Sequence, residues 1–113
     1  MRVLITGAAG FIGAALARGL VARGDEVIGI DDLNPYYDPA LKRARVDLAA
    51  REGGKAFTFL ELDFAAMAAL EAALAGKPLD RIVHLGAQAG VRYSLENPHA
   101  YARSNLVGHL NLL

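Results

Sequence analysis

Three glycines at intervals of three, in Gly7-Ala8-Ala9-Gly10-Phe11-Ile12-Gly13, follow directly on the apolar run Val-Leu-Ile-Thr at positions 3–6. Glycines so spaced let the main chain turn tightly, bring it against a bulky anion, and seat the following helix close to its strand. The start of that helix then offers unpaired N–H groups and a partial positive charge to the anion. A purely structural glycine turn would show the same three residues. Asp31 separates the two readings. It ends the second apolar run, 24 residues beyond Gly7, where a carboxylate accepts hydrogen bonds from the hydroxyls of an adenosine ribose. A negative charge there repels a 2′-phosphate, so the pattern points to NAD rather than NADP.

Other residues able to do chemistry receive plainer expectations. Asp32 reads as a turn former beside Asp31. Asp63 ends the third strand and is expected to cap the next helix, with a second role against the adenine edge. His84 falls within a strand and reads as a core histidine. His99 and His109 have no histidine or acidic partner at ligand spacing, so no metal site is expected. Tyr36 and Tyr37 are expected to cover a loop or pocket edge, and the basic residues between 40 and 52 to form a solvated face.

The elements that must position these groups alternate in type. Residues 2–7, 25–31, 56–63 and 80–87 form four short apolar runs with the character of strands buried in a parallel sheet. Between them lie a helix over 11–23, a charged amphipathic helix over 40–52 and an alanine-rich helix. The first is expected to bury Phe11, Ile12, Ala15, Leu16, Gly19 and Leu20, and to stop at Arg23-Gly24. The third is expected to bury Phe64, Met67, Leu70 and Leu74. Pro35 and Pro39 impose an irregular loop after the second strand. Asn97-Pro98 opens a last helix that runs to Leu113. Strands alternating with helices call for βαβ units and an α/β, doubly wound parallel sheet.

Composition narrows the function classes. A length of 113 residues suits one small domain. Twelve basic residues balance twelve acidic ones, so the chain lacks the electrostatic footprint of a nucleic-acid binder. The absence of cysteine removes disulfides, thiolate metal sites and cysteine nucleophiles, and fits a cytoplasmic protein. Arg2 and the uncharged stretch to Ala17 mimic a secretory leader, but a leader has no use for three glycines in register. Arg18 interrupts the longest apolar stretch, so no membrane span is expected.

The segments TGAAGFIG, GIDDLNPYYDPALKRAR and HLGAQAGVRYSLENPHAYARSNLVG closely resemble the N-terminal part of extended short-chain dehydrogenase/reductases. Within the NAD-dependent epimerase/dehydratase group, they are most similar to the UDP-glucuronate 4-epimerase branch. The resemblance covers essentially the whole chain, and its last two segments are far more specific than the glycine motif. It implies a Rossmann sheet, incomplete at four strands, in the order 3-2-1-4. By the same resemblance Gly7, Gly10, Phe11, Ile12 and Gly13 match the pyrophosphate loop. Asp31 matches the ribose ligand, with Asp32 replacing a frequent asparagine beside it, and Asp63 matches the adenine-side acid. Leu85, Gly86, Ala87 and Gln88 match the segment beside the nicotinamide ribose, where Gly86 departs from a common alanine. Asn105 matches a helix asparagine near the cofactor, and Arg92 and Ser94 stand on the substrate side.

The chemistry implied is a redox-neutral inversion: NAD takes hydride from C4 of a UDP-sugar, the 4-keto sugar turns, and hydride returns to its other face. The family's acid/base is a tyrosine in a Tyr-x-x-x-Lys motif. Four residues beyond Tyr36, Tyr37, Tyr93 and Tyr101 stand Ala40, Leu41, Asn97 and Asn105, so the motif is absent. Residues 1–113 are therefore expected to be the N-terminal portion of an NAD-binding domain, without its C-terminal half or a substrate domain, and inactive alone. Alternatives are another extended-family enzyme, such as a nucleotide-sugar dehydratase, or a stand-alone NAD-binding module. The fourth strand is expected to be a bare edge, favouring a homo-oligomer or an aggregation-prone monomer.

Overall fold

The computed structural model describes residues 1–113. Strands β1 (Arg2–Thr6), β2 (Glu26–Asp31), β3 (Phe57–Glu61) and β4 (Arg81–His84) form one parallel sheet in the order β3-β2-β1-β4, the order the resemblance implies. Thr6 stands opposite Ile30 on one side and His84 on the other, so the inner strands finish nearly level at their C-terminal ends.

Side chains alternate across each strand, and both faces are covered. Val3, Ile5 and Val27 pack with Ala17, Ala49 and Phe57 on one face, whereas Leu4, Ile28 and Ile30 pack with Phe64 and Leu70 on the other. Each fully buried Val, Leu or Ile contributes about 1.5–3 kcal/mol to holding these layers together. The central pair β1–β2 therefore contributes side chains to both packed layers.

Helix α1 (Phe11–Arg23) follows β1 and turns Gly13, Ala14 and Ala17 inward. This corrects the expected face: Phe11 and Ile12 are 79% and 66% exposed. The helix lies so near the sheet that only small residues fit beneath it, and Leu16 and Leu20 fill its margins. Gly24, in the left-handed region at φ 100°, ends the helix by donating to the Leu20 and Val21 carbonyls. Helix α2 (Pro39–Gly53) starts where Asp38 accepts from the Ala40 N–H, and it packs on the same face.

Helix α3 (Met67–Leu74) covers the opposite face through Leu70. Met67 is exposed, contrary to the apolar stripe read in the sequence, and Phe64 packs from the turn ahead of the helix. Asp63 is likewise not its cap. The helix begins four residues later, and the Asp63 carboxylate instead closes a turn by accepting from Ala65 N at 2.9 Å.

Beyond β4 the chain forms a short helix α4 (Tyr93–Glu96). The final helix, α5, runs through Pro98–Tyr101, a π-helical turn Ala102–Val107, and Gly108–Leu112. Asn97 caps it by accepting from Ala100 N, as its pairing with Pro98 suggested. Strand β4 is an edge with Ile82 44% exposed, in line with expectation. No helix is long and apolar enough to cross a membrane.

Candidate functional site

At the C-terminal end of the sheet, β1 stands between β2 and β4, and the chain leaves these strands toward opposite faces. Such a switch point opens a crevice. Here the crevice is lined by Gly7, Gly10, Asp31, Asp32, Asn34, Tyr37, Lys42, Asp63, Phe64, the segment from Leu85 to Gln88, and Ser104. Of the expected residues, Gly7, Gly10, Asp31, Asp32, Asp63 and the post-β4 segment thus converge on one cleft from four separate connections, whereas Phe11, Ile12, Gly13 and Asn105 do not line it.

The glycine loop forms one wall. Gly7 adopts φ 69°, and the Gly10 N–H donates to the Gly7 carbonyl at 3.0 Å. A Cβ on Gly13 would stand 2.1 Å from that same oxygen, so the helix can start here only with glycine. The first intrahelical bond runs from Ala14 N to Gly10 O, leaving the N–H groups of Phe11, Ile12 and Gly13 without an acceptor in the chain. No acidic residue occupies the first turn to offset its partial positive charge. These are the donors an anion would find. The side chains of Phe11 and Ile12 are exposed, so only their backbone N–H groups are available there.

Asp31 is buried at the end of β2, not exposed as a mere strand-end carboxylate would be. Its Oδ2 accepts from Ala9 N at 3.1 Å, and its Oδ1 accepts from Leu33 N at 2.9 Å and from Lys42 Nζ at 3.4 Å. A carboxylate has about four acceptor positions, so one remains for a ligand hydroxyl. Lys42 overturns the expectation of a solvated basic face on α2: it is buried and lies 5.1 Å from the Tyr37 ring centre. Arg45 also turns inward, donating to the Ala9 carbonyl and the Tyr37 hydroxyl, both at 3.3 Å. A signal was available, because Lys42 shares the i, i+4, i+7 stripe with Val46 and Ala49. A cation on an apolar stripe needs a buried anion, and Asp31 supplies it.

Asp32 caps a turn by accepting from Asn34 N at 3.0 Å. Partial desolvation in the cleft, and then the charges of Asp31 and Asp63, push its carboxyl above the ordinary range, against the bond from Asn34. On the far side of the cleft the Asp63 Oδ2 accepts from Arg103 Nε at 3.1 Å and Nη2 at 2.8 Å. Arg103 carried no sequence signal, since it is 40 residues away and lies on α5.

The segment after β4 is held by an unanticipated residue. The buried Thr6 hydroxyl oxygen accepts from Leu85 N at 3.1 Å and Gly86 N at 3.0 Å, just beyond the end of β4 at His84, and the Thr6 carbonyl also accepts from Leu85 N at 3.3 Å. With both lone pairs used, the hydroxyl proton goes to His84 Nδ1 at 2.6 Å. His84 is half-buried, not a core residue, because β4 is an edge. Its ring meets Phe64 edge-on and lies 5.2 Å from His109. Phe64 fits between two glycines: a Cβ on Gly86 would approach it to 2.5 Å, and one on Gly108 to 2.3 Å. The glycine that replaces the common alanine at 86 therefore makes room for this ring.

Asn105 faces Gln88, accepting from its N–H at 2.8 Å and donating to its carbonyl at 3.2 Å. It ties the post-β4 segment to α5. Tyr37 lines the cleft, whereas Tyr36 packs on Tyr93 with ring centres 5.1 Å apart, and the Tyr101 hydroxyl donates to the Ala89 and Gly90 carbonyls. Arg92 and Ser94 do not line the cleft, and the Ser94 hydroxyl donates to the Val91 carbonyl.

A sequence model of the GDP-mannose 4,6 dehydratase family matches residues 4–113. UDP-glucuronate 4-epimerase 3 of Arabidopsis thaliana is 48% identical over 111 residues, covering 98% of this chain and 25% of the plant protein. A probable UDP-glucuronate 4-epimerase of Rhizobium meliloti is 51% identical over 114 residues, covering 100% of this chain and 33% of its own. In three dimensions the chain is similar to UDP-glucuronic acid 4-epimerase from Bacillus cereus, solved with UDP-glucuronic acid and NAD. There the TM-score is 0.81 at 29% identity, with 99% of this chain and 35% of that one covered. The chain thus spans a quarter to about a third of the length of these relatives.

Proposed function

The chain belongs to the GDP-mannose 4,6 dehydratase family, and from that membership we propose that it is the NAD-binding portion of a nucleotide-sugar 4-epimerase acting on UDP-glucuronate or a close relative. One observation carries the reading: a single cleft gathers Gly7 and Gly10 of the loop that leads into three unpaired helix N–H groups, the buried Asp31–Lys42 pair, and the Asp63 carboxylate. These suit, in order, a pyrophosphate, a ribose and an adenine. The relatives named above support the sugar assignment.

NAD, when bound, would accept hydride from C4 of the sugar and return it to the opposite face of a transient 4-keto sugar. The chain's own residues bind and orient. Phe11, Ile12 and Gly13 N–H groups would hold the phosphates, aided by the helix dipole. Asp31 would accept from a ribose hydroxyl while Lys42 keeps its carboxylate in place. Thr6, through the Leu85 and Gly86 N–H groups, fixes the segment that would run beside the nicotinamide ribose. No tyrosine in the chain has a lysine four positions on, so its share of the reaction is cofactor binding.

The test is calorimetric titration with NAD and NADP. NAD should bind more tightly than NADP by at least tenfold, and Asp31→Asn should cut NAD affinity by about tenfold, the worth of one charge-assisted hydrogen bond. Equal binding of both dinucleotides, or an Asp31→Asn protein that binds NAD as before, would overturn the ribose assignment.

A further inference from the structure

Resting on the dinucleotide reading above, we infer that Arg103 determines specificity for the purine base by locking the Asp63 carboxylate in one orientation. A carboxylate at the end of a strand ordinarily rotates about its two side-chain torsions. That of Asp63 is held at both oxygens: Oδ1 by Ala65 N at 2.9 Å, and Oδ2 by two guanidinium donors at 3.1 and 2.8 Å. What remains free is acceptor capacity pointing in a fixed direction beside the cleft. A base with an amino group at its 6-position donates to such an acceptor. A 6-oxo base presents a carbonyl there, and a carboxylate that cannot turn away repels it.

The backbone shows how Arg103 reaches this place. It belongs to the π-helical turn of α5, where Gly108 N donates to Arg103 O. The wider turn sends consecutive residues toward the cleft: Arg103 to Asp63, Ser104 to the cleft wall, and Asn105 to the Gln88 backbone. One turn thus joins the base-side wall to the nicotinamide-side wall. The pair itself is too exposed to matter much for stability, with Arg103 at 56% and Asp63 at 33%. Its consequence lies in orientation.

The probes are NAD and nicotinamide hypoxanthine dinucleotide, whose bases differ in carrying a 6-amino group beside an unprotonated N1 and a 6-oxo group beside N1–H. Their affinities are measured by calorimetry on the wild-type protein and on Arg103→Ala, Arg103→Lys and Asp63→Asn, with melting temperatures alongside. The wild type should prefer NAD by about tenfold or more, as one directional charge-assisted bond allows. Arg103→Ala should lose most of that preference at an unchanged melting temperature, Arg103→Lys should recover part of it, and Asp63→Asn should match Arg103→Ala. An Arg103→Ala protein that binds NAD and keeps the wild-type preference would overturn the inference while leaving the dinucleotide site intact. A wild type that binds neither probe would overturn both.

Discussion

Two glycines of α1 make opposite predictions for the same substitution. Gly19 faces solvent, and a Cβ there meets nothing within 4 Å. Gly19→Ala should therefore show only the helix-propensity gain, up to about 1 kcal/mol. A Cβ on Gly13 would lie 2.1 Å from Gly7 O, 2.8 Å from Gly7 C and 3.1 Å from Ala8 Cα. All three are main-chain atoms, so no side chain can swing aside; the helix start and the glycine loop must part by about 1 Å to restore ordinary contact. Overpacking of this kind costs about 1–3 kcal/mol, and more when backbone must move. Because main chain must move, the cost lies at the upper end of that range, about 2–3 kcal/mol, and after the propensity gain Gly13→Ala should lose about 1–2 kcal/mol. In a chain of this size that lowers the melting temperature by roughly 4–16 °C, whereas Gly19→Ala raises it by up to about 8 °C. The parting also carries the Phe11, Ile12 and Gly13 N–H groups away from their anion. NAD affinity should then fall by about tenfold or more in Gly13→Ala and hold in Gly19→Ala. Thermal unfolding followed by circular dichroism, with calorimetric titration of all three proteins, checks both halves. A Gly13→Ala protein as stable as wild type, with undiminished NAD binding, would refute the argument that the loop has no room for a methyl group.

Two further predictions concern the wall formed by Phe64, Gly86 and His84. Gly86→Ala should cost about 1–3 kcal/mol because Phe64, hemmed in by Gly108, cannot retreat from the new methyl. Phe64→Leu should relieve it, giving a coupling of about 1 kcal/mol in a double-mutant cycle read from urea midpoints; strict additivity would disprove the contact. Burial, and then the charge of His109, hold the His84 imidazole below its ordinary pKa. Its folded-state value lies below the unfolded value of about 6.5, so its neutral form costs nothing above that pH. Stability should then fall as the pH drops from about 6.5 toward the folded pKa, and level off beneath it. His84→Asn keeps an acceptor for Thr6 without titrating, so melting temperatures taken from pH 8 to 5 should fall less steeply than in the wild type. Parallel curves would show that the Thr6–His84 bond does not require a neutral imidazole.

Sequence alone determined the alternation of strands and helices and with it a parallel sheet, while the strand order came with the family resemblance. Apolar runs such as Val3–Ile5 and Val27–Ile30 are local signals of a strand covered on both faces, and Gly7, Gly10 and Gly13 carry their backbone requirement in their identity. Asp31 was legible from its distance to that loop. The structure decided what depends on partners far along the chain. The burial of Lys42 follows from Asp31, eleven residues away, and the direction of Asp63 from Arg103, forty residues away. Thr6 reaches Leu85 and Gly86 only because β1 and β4 become neighbours. The inward face of α1 could not be read from hydrophobicity, since closeness to the sheet admits Gly13, Ala14 and Ala17 and leaves Phe11 and Ile12 outside. Strands and tight turns answer to the preferences of adjacent residues; ion pairs, hydroxyl latches and close helix seats answer to distances that exist only after the sheet has formed.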